Sequence, residues 1–138
     1  MNGNRTSRQL GAASAVAAGY DTQDRLLSVG ATTYGFDVDG MLATRGADTF
    51  AFGARRELVA ATHSGQAVTY DYDGFDRRVG RTDAGGTTQY LYSGVLDALE
   101  LSASRDPAGT LTVYYYDAEG YLVALRRGTI GGTSPPTR

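Results

Sequence analysis

One phrase restricts this chain more than any other. It consists of an aromatic residue, one intervening residue, a second aromatic, then Asp and a short polar turn. It is fullest at Tyr70-Asp71-Tyr72-Asp73-Gly74-Phe75-Asp76-Arg77-Arg78-Val79 and returns on either side. Tyr34-Gly35-Phe36-Asp37-Val38-Asp39-Gly40-Met41-Leu42 is one copy, and Tyr114-Tyr115-Tyr116-Asp117-Ala118-Glu119-Gly120-Tyr121-Leu122 another. Residues two apart on a strand share a face, so both rings of each phrase lie together. Taking the second aromatic as an anchor gives Tyr20, Phe36, Phe52, Tyr72, Tyr92 and Tyr116, at steps of 16, 16, 20, 20 and 24 residues. Two positions before the anchors stand Ala18, Tyr34, Phe50, Tyr70, Tyr90 and Tyr114; one after stand Asp21, Asp37, Gly53, Asp73, Ser93 and Asp117. Even steps keep the strand faces in register while the hairpin arms vary.

Each unit reads as a hairpin. Asp after the strand accepts hydrogen bonds from N–H groups of the following turn. Asp24, Gly40, Asp76 and Gly120, four residues past their anchors, are types that tolerate positive φ. An apolar residue then opens the return strand: Leu26, Leu42, Leu58, Val79 and Leu122. Second turns close the units at Gly46-Ala47-Asp48, His63-Ser64-Gly65 and Asp83-Ala84-Gly85-Gly86. Ala12 to Ala18 has helical propensity, but seven residues between two glycines are too few for an isolated helix, and the repeat predicts a strand there.

Composition supports this picture. Glycine at 19 of 138 residues is about twice ordinary usage, and tyrosine at 10 outnumbers phenylalanine at 4. Glycine-rich turns between Tyr- and Thr-rich segments describe an all-β chain. The length suffices to bury a core if the sheet closes or folds back. A net charge of -2 argues against a nucleic-acid binder. No cysteine is present, so disulfides and thiolate metal sites are excluded. No apolar run is long enough for membrane insertion as a helix, and the N-terminus lacks a signal-peptide pattern.

The phrases at Tyr70–Val79, Tyr34–Leu42 and Tyr114–Leu125 resemble the YD-repeat (Rhs repeat) family of bacterial Rhs proteins, insecticidal toxin complexes and teneurins. Gly3-Asn4-Arg5-Thr6-Ser7 also looks like the middle of a unit. The resemblance covers about residues 1–127 and implies a long sheet wound into a spiral shell. In bacterial members that shell encloses a toxic polypeptide; in teneurins it belongs to a cell-surface adhesion receptor. It therefore implies a secreted or cell-surface setting. At this length a full shell is not expected, nor is the C-terminal segment in which bacterial members carry self-cleavage aspartates. Asp106-Pro107-Ala108-Gly109 echoes that segment but lies between two units and reads as a loop, so self-cleavage is not carried over.

Residue chemistry points the same way. His63, the single histidine, sits in an expected turn and reads as a solvated loop residue. The pairs Asp37/Asp39, Asp71/Asp73 and Asp117/Glu119 lack the further ligands of a calcium loop and read as turn caps. The aromatic rows read as cross-strand packing, and Arg55-Arg56, Arg77-Arg78 and Arg126-Arg127 as partners of turn carboxylates.

The expected fold is all-β: consecutive antiparallel hairpins, about six units over residues 1–127, in a curved or spiral sheet, with residues 128–138 as a flexible tail and no internal domain boundary. The expected function is structural, without catalysis, cofactor or metal. Its residues are those of the repeat motif: Tyr20, Asp21, Tyr34, Phe36, Asp37, Gly40, Phe50, Phe52, Tyr70, Tyr72, Asp73, Tyr90, Tyr92, Tyr114, Tyr116, Asp117 and Gly120. The expected partners are copies of the chain or flanking repeat polypeptide, joined through open strand edges. The alternative is an adhesion module whose exposed Tyr and Arg rows bind glycan or protein.

Overall fold

The computed structural model describes residues 3–93 and 100–129. It is all-β, made of consecutive antiparallel hairpins. The strands are β1 Ser7–Arg8, β2 Val16–Tyr20, β3 Leu26–Val29, β4 Thr32–Phe36, β5 Leu42–Arg45, β6 Asp48–Phe52, β7 Leu58–His63, β8 Gln66–Tyr72, β9 Arg78–Asp83, β10 Gly86–Tyr92, β11 Leu101–Arg105, β12 Thr110–Tyr116 and β13 Leu122–Thr129. All six anchors close their strands, as the last residues of β2, β4, β6, β8, β10 and β12.

The chain divides into two compact units, Met1–Ala67 and Val68–Arg138. No such boundary was expected, and the reason is visible in where it falls. The division cuts through β8 rather than through a linker, because in a row of hairpins each element contacts only its neighbours. Within the first unit β1 to β7 pair with their sequence neighbours, and within the second β8 to β13 do the same. In the second unit β13 pairs with β12 and, among the described residues, with no other strand.

A β-bulge recurs at the same place in six hairpins. Tyr20, Phe36, Phe52, Tyr72, Tyr92 and Tyr116 stand opposite Leu26, Leu42, Leu58, Arg78, Leu101 and Leu122, and the register then slips by one residue. The extra residue on each return strand bends it and strengthens its twist. This corrects one expectation. The return strand after Tyr72 opens at Arg78, which takes the position held elsewhere by leucine, and Val79 is the bulged residue.

Side chains alternate in exposure along β8 and β10, with Val68, Tyr70, Tyr72, Thr88, Tyr90 and Tyr92 on the more covered face. Coverage stops at partial. No hydrophobic side chain among the described residues is buried, and Gly80 is the single buried residue. The physical reason is that cross-strand neighbours alone cover each ring, and a strand's own plane supplies nothing above it. A Cβ on Gly80 would lie 2.6 Å from Asp71 Oδ2 on the neighbouring strand, so that carboxylate would have to shift to admit one.

At the N-terminal end the strand predicted from Ala12 begins at Val16, after a turn closed by the Ala13 N–H on the Leu10 carbonyl. At the other end β13 reaches Thr129, two residues beyond the expected limit at 127. The rest of the predicted tail, 130–138, lies outside the described residues.

Candidate functional site

The repeated turn is the most regular feature of the chain. At Asp21, Asp37, Gly53, Asp73, Asp106 and Asp117 the N–H donates to the carbonyl four residues on, at 2.9–3.0 Å. The residue three further along donates back to the carbonyl of the first, and its φ is positive: Asp24 63°, Gly40 79°, Arg56 66°, Asp76 62°, Gly109 85° and Gly120 84°. The leading carboxylate caps the interior of the turn. Asp73 Oδ1 accepts from the N–H groups of Phe75 (2.9 Å) and Arg77 (3.1 Å). Asp21, Asp37 and Asp117 do the same for Gln23 and Arg25, Asp39 and Met41, and Glu119 and Tyr121. Of the acidic pairs read as turn caps, Asp37, Asp73 and Asp117 are placed on backbone N–H groups. Among the described residues, no three His, Asp or Glu side chains converge as a metal site would need.

One member of this set lies outside the aromatic phrase, and another departs from it in its capping residue. Asp106-Pro107-Ala108-Gly109 makes the same turn between β11 and β12, with Arg105 where the other units carry an aromatic anchor. At Gly53 the missing carboxylate is supplied from the far side. Glu57 Oε2 accepts the Arg55 N–H at 2.9 Å, and a Cβ on Gly53 would lie 2.6 Å from Glu57 Cδ. Gly53 and Glu57 are therefore complementary, one vacating the space that the other fills.

Three contacts recur, one inside the turn and two that fasten one hairpin to the next. The first joins Asp to Arg within the turn: Arg25 Nε to Asp21 at 2.7 Å, and Arg77 Nε and Nη2 to Asp73 at 2.8 and 2.7 Å. Partial desolvation alone would raise Asp73, but the Arg77 bonds and the turn N–H groups outweigh it and hold its pKa below the usual value. The second contact places that same guanidinium over the next anchor ring. Arg25 lies 5.0 Å from the Phe36 centroid, and Arg77 4.9 Å from that of Tyr92. The third is the anchor hydroxyl, which donates to a carbonyl on the preceding return strand. Tyr20 bonds to Arg5 at 3.1 Å, Tyr92 to Arg78 at 3.0 Å and Tyr116 to Leu101 at 3.0 Å. Arg5, in the stretch read from sequence as mid-unit, thus behaves as the other return strands do, and Gly3 shows the positive φ of the turn, 75°.

Arg78 departs from the expected pairing with a carboxylate. Its guanidinium sits over two rings of the same face, Tyr70 at 5.4 Å and Tyr90 at 5.1 Å. Such contacts contribute about 0.5–1 kcal/mol each at exposed sites. The remaining rings of the motif hold matching places: Tyr34 opposite Arg45, Phe50 beneath that Arg45 guanidinium at 5.9 Å, and Tyr114 hydroxyl 3.2 Å from Ser104 Oγ. Arg127 does meet a turn carboxylate, Asp106, at 3.2 Å.

His63 is exposed but has a partner that sequence spacing did not reveal. Asp48 Oδ2 lies 3.0 Å from His63 Nδ1 and 2.9 Å from Arg45 Nη2, and Asp48 Oδ1 accepts the Ser64 N–H. His63, then Arg45, hold the Asp48 carboxyl down at about 2. An open groove of about 380 Å³ lies between the turn at Gly85-Gly86 and the Asp106 turn, lined by Gln89, Arg105, Asp106 and Pro107.

The order of these elements is that of a known repeat: anchor tyrosine, turn aspartate and return strand, each fastened to the next hairpin. The family model described as Teneurin YD-shell matches residues 1–130. The chain belongs to this family. No curated protein matches it. The tyrosine of the YD-shell unit supplies the ring beneath Arg and the hydroxyl on the preceding strand; the aspartate closes the turn and orients the Arg. A YD-shell is a structural scaffold.

Proposed function

We propose that this chain is a length of YD-shell wall that encloses a polypeptide, toxic in the manner of the bacterial shells it resembles, and that it is extended by pairing at its open strand edges. A secreted or cell-surface setting goes with that role. The observation that carries the reading is the absence of any buried hydrophobic side chain among the described residues. Cohesion comes instead from contacts repeated between neighbouring hairpins, the arrangement of a wall that can be lengthened unit by unit. The exposed apolar edge of β13 is a template for further pairing.

The alternative, recognition of glycan or protein by free Tyr and Arg rows, has less support. Arg25, Arg77 and Arg78 already lie over rings of this chain, and the rings of β8 and β10 are half-covered. Size-exclusion chromatography with light scattering tests the wall reading. A defined oligomer or filament supports edge pairing. A monomer at every concentration, with the β13 amides exchanging freely, counts against it.

A further inference from the structure

We propose that the groove between the Gly85-Gly86 turn and the Asp106 turn binds a monosaccharide-sized carboxylate, a sugar acid or similar hydroxy acid, with Arg105 holding the carboxylate and Gln89 a neighbouring hydroxyl. The groove lies within the second compact unit and does not depend on edge pairing. It arises where the chain departs from its own repeat. Arg105 stands immediately before a turn aspartate, as the anchors do, yet its hairpin pairs without the bulge. Ala103, Ser104 and Arg105 face Val113, Thr112 and Leu111 in unbroken register. On the other side Gln89 stands opposite Arg105, and Tyr90 opposite Ser104. Alternation therefore places Arg105 and Gln89 together on the face turned away from Tyr90. Arg25, Arg45, Arg77 and Arg78 lie over rings of the chain. Among the described residues, the Arg105 guanidinium has neither a ring nor a carboxylate as partner.

Glycine shapes the groove. A Cβ on Gly86, where φ is 111°, would lie 2.8 Å from Pro107 Cβ, so the bare backbone there lets the two turns meet. Arg105 lies along Gly109, whose Cβ would stand 3.7 Å from Arg105 Nη2. The volume of about 380 Å³ falls at the lower end of the range for small-molecule sites, about 300–1,000 Å³. Charge then selects the ligand. The aspartates of both turns are already compensated, Asp83 by Arg81 at 2.6 Å and Asp106 by Arg127 at 3.2 Å. Arg105 thus adds a positive charge of its own, on a planar fork that matches a carboxylate. Asp106 stays negative, because the Thr110 N–H first, and Arg127 with it, outweigh partial desolvation and hold its carboxyl below the usual range. Beside that charge a phosphate, with nearly two negative charges, is repelled more than a carboxylate with one. Gln89 offers an amide donor and acceptor to a hydroxyl, and Pro107 an apolar rim.

The test follows the Arg105 Nε–H and Gln89 side-chain amide signals by NMR as sodium glucuronate is added to the full chain. Glucose and inorganic phosphate, at matched ionic strength, are the comparison ligands. Saturable shifts at both groups are expected for glucuronate in the millimolar range, and none for glucose. Arg105→Gln should weaken glucuronate binding about ten-fold or more, through loss of the charge-assisted pair. Gln89→Leu keeps the charge and should weaken glucuronate about five-fold, while the response of Arg105 to acetate stays unchanged. Both positions are exposed, and an otherwise unchanged spectrum shows that the variant groove is intact. Absence of saturable shifts with glucuronate, equal shifts with glucose, phosphate binding as tight as glucuronate, or full affinity in either variant overturns the proposal.

Discussion

The residue three past the start of the turn has positive φ in six turns, yet its identity varies, and this sets up a pair of substitutions with opposite signs. Arg56 holds φ 66° and Gly40 holds φ 79° in turns with the same two backbone hydrogen bonds. An L-residue in the left-handed region costs about 1–2 kcal/mol. Glycine avoids that cost but loses about 0.5–1 kcal/mol more backbone entropy on folding. Arg56→Gly should therefore stabilise by about 0.5–1 kcal/mol, since the Arg56 N–H bond to the Gly53 carbonyl (2.9 Å) remains available to glycine. Gly40→Ala should destabilise by about 1 kcal/mol. A Cβ at Gly40 meets nothing within 4 Å, so no steric contact confuses the result. With a urea m-value of about 2 kcal/mol/M, each change moves the midpoint by about 0.5 M in opposite directions. Tyrosine fluorescence reports the transition, because the chain has no tryptophan. Amide exchange at residues 40 and 56 shows whether the effect stays in its own hairpin. Shifts of the same sign at the two sites would refute the reasoning, because the turns differ at this position only in the presence of a side chain on a left-handed backbone.

Further outcomes follow from the contacts between and within hairpins. Tyr116→Phe removes the hydroxyl on the Leu101 carbonyl and should cost about 1 kcal/mol in urea unfolding; an unchanged midpoint would show that the bond contributes nothing net. Gly53→Asp alone should destabilise by placing a side chain against Glu57. Combined with Glu57→Arg it recreates the Asp21/Arg25 and Asp73/Arg77 pairs, so a double-mutant cycle should give a favourable coupling of about 1 kcal/mol or more; additive effects would count against the complementarity. Asp48 titrates at about 2, below the usual 3.8, through His63 first and Arg45 second. Because its folded pKa is depressed, the stability it contributes is present above 3.8 and is lost as pH falls from there to about 2. His63→Ala should raise the Asp48 pKa toward 3.8 in a carbon-13 carboxyl titration, and an unmoved pKa would assign the shift to Arg45 and the Ser64 N–H.

Much of this was open to reading in the sequence, and the residues show why. Tyr72-Asp73 and its copies could be placed because the strand, the turn carboxylate and the positive-φ position lie within six residues of one another. Each is decided by backbone sterics and one local hydrogen bond. The face shared by Tyr70 and Tyr72 follows from the two-residue period of a strand. The Asp106 turn carries only a loop signal in sequence because its unit has Arg105 in place of an aromatic anchor. Arg56 was missed at the positive-φ position because propensity does not nominate arginine there. The opening of the return strand at Arg78 was shifted to Val79 because a bulge adds a residue without a sequence signal.

By itself the sequence determined the all-β class, the alternation of strand and turn and the capping role of the aspartates, all properties of contacts close along the chain. Only the tertiary structure decided that Arg25 and Arg77 serve the next hairpin's ring, that Arg78 lies over Tyr70 and Tyr90, that Glu57 fills the space left by Gly53, and that Asp48 holds His63. Those contacts join residues that register brings together across strands, and register is settled by the pairing of whole hairpins. It also decided that the rings stay half-covered: burial depends on what lies above a sheet face, and neighbouring strands in the same plane cannot provide that cover.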